Sequence, residues 1–133
     1  MVSQANIHED VATAFAGVSG KTLRWAIAKV EDGNVTLVQT APRDADVASI
    51  AAAVGDEPVF IVYDYEGVRD DGSTYCKTCF ICYSPDTCTV MAKKFELQNF
   101  KGSVKAKCAS QKEMQINDKA DLTDGELKDA LGM

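Results

Sequence analysis

Apolar residues recur at helical spacing near the start of the chain, where Ile7, Val11, Ala14, Phe15 and Val18 share one face. Asn6 precedes this run and Glu9 follows three residues on, the pattern of a capping box, so a helix is predicted from there to Gly17–Gly20. The period then changes to that of strands. Leu23–Val30 and Asn34–Gln39 are β-rich, and Glu31-Asp32-Gly33 between them reads as a hairpin turn. Asp44 or Asp46 opens a second helix through Val47, Ile50 and Val54, which stops at Gly55. Pro58–Glu66 (PVFIVYDYE) is the most apolar stretch and predicts a central strand. A polar turn over Gly67–Ser73 leads to a further strand, Thr74–Tyr83, broken by Pro85 and Asp86. Thr89–Ala109 reads as a long helix with its lysines largely on one side. Gly102 interrupts it at a cost of about 1 kcal/mol relative to Ala. Glu113–Asn117 predicts a short edge strand, and Thr123-Asp124-Gly125-Glu126 is a capping box for a last helix, Asp124–Leu131.

This order predicts an α/β (α+β mixed) fold, a central mixed five-stranded sheet flanked by helices on both faces. The length of 133 residues fits one domain spanning 1–133, with residues 1–5 as a flexible N-terminal tail. No linker, repeat or low-complexity tract divides it.

Charge changes the picture locally. The chain carries −6 overall, which argues against general nucleic-acid or membrane binding. Between Ala92 and Lys112, however, Lys93, Lys94, Lys101, Lys105, Lys107 and Lys112 face a single acid, Glu96. That segment is net +5 within a chain of −6, so the remainder carries −11. Such asymmetry suggests a local face for anions or acids, although a solvated helix face has the same composition. No apolar run is long enough to span a membrane, and the N-terminus lacks the basic flank and apolar stretch of a secretory signal. Five cysteines, an odd count, then predict free thiols in a reducing cytoplasm.

Candidate chemistry is sparse. Cys76, Cys79 and Cys82 resemble a metal or redox motif, but strand alternation sends Cys79 to the face opposite Cys76 and Cys82. A tetrahedral site needs convergent thiolates, and neither a second CxxC nor a nearby histidine is present. Small buried cysteines filling a core are the simpler reading. His8, the single histidine, opens the first helix without a nucleophile placed by any motif. Gly17–Lys21 lacks the spacing of a phosphate loop, and Asp118, Asp121 and Asp124 lack that of an EF-hand. No enzyme, metal or cofactor is expected, and a binding module is favoured. A cysteine-based redox protein is the alternative from another class; it requires an exposed thiol of low pKa at Cys76 or Cys79.

Three ordered segments carry a resemblance: Val59–Glu66 (VFIVYDYE), Lys77–Asp86 (KTCFICYSPD) and Lys101–Lys107 (KGSVKAK). Together they resemble the actin-depolymerising factor/cofilin family. There, a strand of the type RYAxYDYE leads to one ending W-[AS]-P-D, followed by a long helix of the type SKMxYASSKDAIKKKL. Tyr83-Ser84-Pro85-Asp86-Thr87 is the closest match, with Tyr for the usual Trp, and the Met-x-Ser start fits as well. The resemblance covers essentially the whole chain and implies the actin-depolymerising-factor-homology fold. It implies a monomeric, cytoplasmic protein of the cytoskeleton that binds monomeric, chiefly ADP-bound, actin and promotes filament depolymerisation.

The resemblance also assigns residues. Lys93 matches the lysine of the SKM motif and Lys94 replaces its Met; Lys101 and Lys105 match later basic positions, and Lys107 the last. With Ser3 in the tail, Lys93, Lys94, Lys101 and Lys105 form the expected actin-monomer face. Lys101, Lys105 and Lys107 are the expected phosphoinositide contacts. Ser3 matches a regulatory phosphoserine, with Gln4 for the usual glycine. Val90, Phe95 and Val104 would add buried area to that face or belong to the core, and core is the expected role. Lys77 and Asp129 match the filament-side site, which Tyr75 and Ala130 deplete of basic residues, so weak filament binding and modest severing are expected. Coactosin and glia maturation factor share the fold, the first binding filaments and the second the branching complex, and remain the alternatives.

Overall fold

The computed structural model describes residues 6–7, 9–31, 34–55, 57–68, 70–85, 88–89, 91–105, 112–118, 121–123 and 125–127. Its elements are β1 (Asn6–Ile7), α1 (Glu9–Ser19), β2 (Leu23–Glu31), β3 (Asn34–Pro42), α2 (Val47–Ala53), β4 (Val59–Val68), β5 (Thr74–Tyr83), α3 (Met91–Lys105) and β6 (Lys112–Ile116). Residues 125–127 begin a further helical turn, with Thr123 Oγ1 accepting from the Glu126 amide at 3.3 Å as the capping box requires.

The strands form one sheet in the order β1-β3-β2-β4-β5-β6. β2 pairs antiparallel with β3 and β4, and β4 with β5, so the expected hairpins hold. β6 runs parallel to β5, and α3 is the crossover that a parallel connection needs. The five expected strands are joined by the two-residue β1, parallel to β3 at Asn34 and Val35. Asn6, expected as the cap of α1, lies in this strand. Pairing with β3 gives the backbone ahead of the helix an alternative set of hydrogen bonds.

Alternation along the strands divides the interior in two. Trp25 and Ile27 of β2, Ile61 and Tyr63 of β4, and Ile81 and Tyr83 of β5 face α2 and Leu127. Ala26 and Ala28, Phe60 and Val62, and Phe80 and Cys82 face α1 and α3. Asp46 caps α2, accepting from the Ser49 amide at 3.1 Å, and Ser49 Oγ accepts from the buried Trp25 indole at 2.8 Å. Cys79 and Cys82 are both buried, one in each core, as alternation requires.

The exit from α1 differs from expectation. Gly17 lies inside the helix, and a Cβ there would come within 3.1 Å of Leu23 Cδ1 and Thr22 Oγ1, so glycine permits β2 to turn back closely. The left-handed residue that ends the helix is Lys21, at φ 69°. Its amine reaches Asp64 of β4 at 2.8 Å, a tertiary anchor that a glycine could not provide.

Candidate functional site

The outer surface of α3 gathers the features expected of a binding face. Leu97, Phe100 and Val104, spaced three and four apart, turn into the core shared with α1. On the opposite side stand Met91 and Phe95, one helical turn apart and 55% and 63% exposed. Both are large apolar side chains held in solvent. Phe95 is therefore not core as expected, because the buried stripe is set by Leu97 and Val104 and Phe95 is out of phase with it. That phase was the signal available in the sequence. Val104 is fully buried and is core; Val90 lies outside the described residues.

The lysines fall into two groups. Lys94, Lys101 and Lys105 lie seven and four residues apart, within about 40° of one another around the helix, along one flank of the Met91–Phe95 stripe. Lys93 sits about 100° from Lys94 and points toward the end of the sheet. There Lys93 Nζ meets Glu57 Oε1 at 2.9 Å, above a cleft of about 260 Å³ lined by Lys29, Glu57, Pro58, Glu96 and Leu97. At the other end of the helix, Lys101 and Lys105 each take one oxygen of Glu113 of β6, at 3.3 and 3.2 Å. Lys94 makes no ion pair among the described residues.

The carboxyls record these contacts. The Lys93 hydrogen bond and charge hold Glu57 below the ordinary carboxylate range, and Glu57 in turn raises Lys93. Glu113 is lowered by its hydrogen bond to Lys105, then by Lys101. Neither acid was singled out in the sequence, because Glu57 is 36 positions from Lys93 and Glu113 lies on a separate strand.

Lys77 is half-buried on β5. It shares the strand face of Cys79 and Ile81, so it stands on the side of the sheet opposite α3. Lys77 is thus separated from the lysines of α3 by the sheet. Ser3, Lys107 and Asp129 lie outside the described residues. Gly102 does not interrupt α3: the helix runs through it, with open space where a Cβ would stand.

Comparison with known proteins bears on the family and the fold. Residues 4–132 match the family model described as cofilin/tropomyosin-type actin-binding protein. No curated protein sequence matches the chain. Among solved structures, it is similar to actin depolymerization factor 2 of Plasmodium berghei, at a TM-score of 0.83 and 20% identity, covering 100% of each chain. It is similar to the cofilin of Streptomyces griseoflavus, at a TM-score of 0.82 and 17% identity over 94% of this chain and 97% of that one. Coactosin from Entamoeba histolytica is equally near, at 0.82 and 17% over 98% and 96%.

Proposed function

We propose that this chain, which belongs to the family of cofilin/tropomyosin-type actin-binding proteins, binds monomeric actin through the outer face of α3 and promotes filament depolymerisation. The observation that carries the reading is the solvent-exposed pair Met91 and Phe95 flanked by Lys94, Lys101 and Lys105. An apolar centre with a charged rim is the composition of a protein-binding patch. The aromatic supplies buried area on docking, and the lysines speed encounter with an acidic surface and fix register. Lys93, at the first turn of the helix and on the side toward the sheet, completes the set of lysines offered to actin, and the ADP form of actin is the preferred partner.

Filament-side binding through Lys77 and Asp129 is weak on this reading, because Tyr75 and Ala130 replace basic residues there. Lys101, Lys105 and Lys107 also take phosphoinositide head groups, in competition with actin. A phosphate on Ser3 adds negative charge to a tail that meets actin, and so weakens binding. The protein then acts in the cytoplasm on the actin cytoskeleton.

The test is binding of monomeric actin to variants. Phe95→Ala is expected to weaken binding at least about tenfold, as truncation of an aromatic anchor does. Joint charge reversal of Lys93 and Lys105 is expected to weaken it by about tenfold, mainly through a slower on-rate. If neither change moves the affinity, α3 is not the actin-binding face. Tight, stoichiometric decoration of filaments in cosedimentation would contradict weak filament binding.

A further inference from the structure

Three of the four lysines assigned to the α3 face already hold a carboxylate. Glu57, just ahead of β4, holds Lys93 at 2.9 Å, and Glu113 of β6 spans Lys101 and Lys105 at 3.3 and 3.2 Å. The two acids come from opposite ends of the helix and from different elements. Lys94, Lys101 and Lys105 therefore share one flank with Glu113 set against two of them, while Lys93, on the side toward the sheet, stands beside Glu57 and Glu96. Only Lys94 lacks such a partner among the described residues.

An acidic partner approaching this face meets an occupied site. To pair with Lys93 it must displace Glu57, and to pair with Lys101 or Lys105 it must displace or share Glu113. Each carboxylate, once displaced, remains beside the partner's own acids and repels them. Two opposed effects follow. The acids hold long, flexible side chains in one geometry, which favours docking; they also lower the net charge of the face and compete for it, which disfavours docking. Magnitudes decide between them. Lys93 and Lys105 keep about half of their side-chain surface in solvent, at 46% and 48%, and an exposed pair of this kind fixes geometry only weakly. Removal of a like charge from a docking patch acts on every encounter within a Debye length of about 8 Å.

We propose that Glu57 and Glu113 are built-in competitors for the actin-binding face, lowering the net positive charge that α3 presents until an acidic partner exchanges with them. The proposal rests on the reading of α3 as that face. It assigns a role to two acids outside the helix: they set the affinity and its salt dependence, and they reserve the face for partners acidic enough to displace them.

The experiment measures association and dissociation of monomeric actin with the full chain carrying Glu57→Gln, Glu113→Gln or both. Asp44→Asn, in the turn ahead of α2 on the other side of the sheet, controls for net charge. Each single variant is expected to bind about twofold to fivefold more tightly, the range of an exposed ion pair. The gain should lie mainly in the on-rate, exceed that of Asp44→Asn, and vanish near 1 M salt, where the Debye length is about 3 Å. Thermal melts of the variants verify that the fold is retained. Equal or weaker binding by the double variant, while reversal of Lys93 and Lys105 still weakens binding, would overturn the proposal and make the acids positioning groups. If reversal of the lysines itself leaves binding unchanged, the assignment of the face fails, and this inference with it.

Discussion

Asp64 is the residue whose environment departs furthest from its sequence context. It sits in the run VFIVYDYE, which reads as apolar strand, and its side chain is fully buried. Its carboxylate accepts from Lys21 Nζ and Arg43 Nη1, both at 2.8 Å, and from Thr78 Oγ1 at 3.3 Å. Arg24 closes the cluster by donating to the Arg43 and Asp64 carbonyls at 2.7 and 3.0 Å. These contacts fasten the exit of α1 and the end of β3 to β4. Removing one partner of a buried pair leaves the other uncompensated, whereas removing an exposed partner does little. Asp64→Asn keeps the shape but aims an amide at two cations, and is expected to cost about 2–4 kcal/mol. Lys21→Met removes a half-exposed amine while Arg43 stays, and is expected to cost less than about 1 kcal/mol. Urea midpoints of the two variants verify the order; equal losses would mean that the cluster is held by packing and not by the carboxylate. Periodicity revealed the strand but not this cluster, because its partners come from three separate parts of the chain, at Lys21–Arg24, Arg43 and Thr78.

At the scale of elements, α3 shows how far local pattern reaches. Leu97 and Phe100, not the expected Phe95, complete the buried stripe with Val104, while the run of lysines and the burial of Val104 were both legible. Two further properties were not. Whether an out-of-phase Phe95 is covered depends on what else packs there, and nothing among the described residues covers it. Whether a lysine is ion-paired depends on strands that bring Glu57 and Glu113 alongside. Gly102 is the third point: it lies in the helix interior with nothing within 4 Å of a would-be Cβ. Its backbone is helical and its surroundings open, so Gly102→Ala relieves the entropic cost of glycine without strain. The expected gain is about 0.5–1 kcal/mol, read as a higher urea midpoint at unchanged m value. A loss of stability would show that the turn needs glycine for a contact made by residues beyond α3.

The whole molecule is one sheet with a core on each side, and this determines how it unfolds. Five of the six strands and their antiparallel pairing were legible from alternation and turn residues; the addition of β1 was not, since two residues carry no period. The two cores are not independent. β2 gives Trp25 and Ile27 to one and Ala26 and Ala28 to the other, and β4 and β5 divide their side chains in the same way. A strand cannot leave one core while staying in the other, because alternation fixes both faces to one backbone. Loss of packing under α3 must therefore be felt under α2. Trp25, the single tryptophan, stands on the α2 side and reports that core alone, while far-UV circular dichroism reports the whole. Leu97→Ala removes a fully buried side chain on the α3 side, at an expected cost of about 2–4 kcal/mol. The tryptophan and circular-dichroism transitions should shift together to the same lower midpoint, as one cooperative unit requires. A Trp25 transition that stays in place while the dichroism moves would show two separable halves.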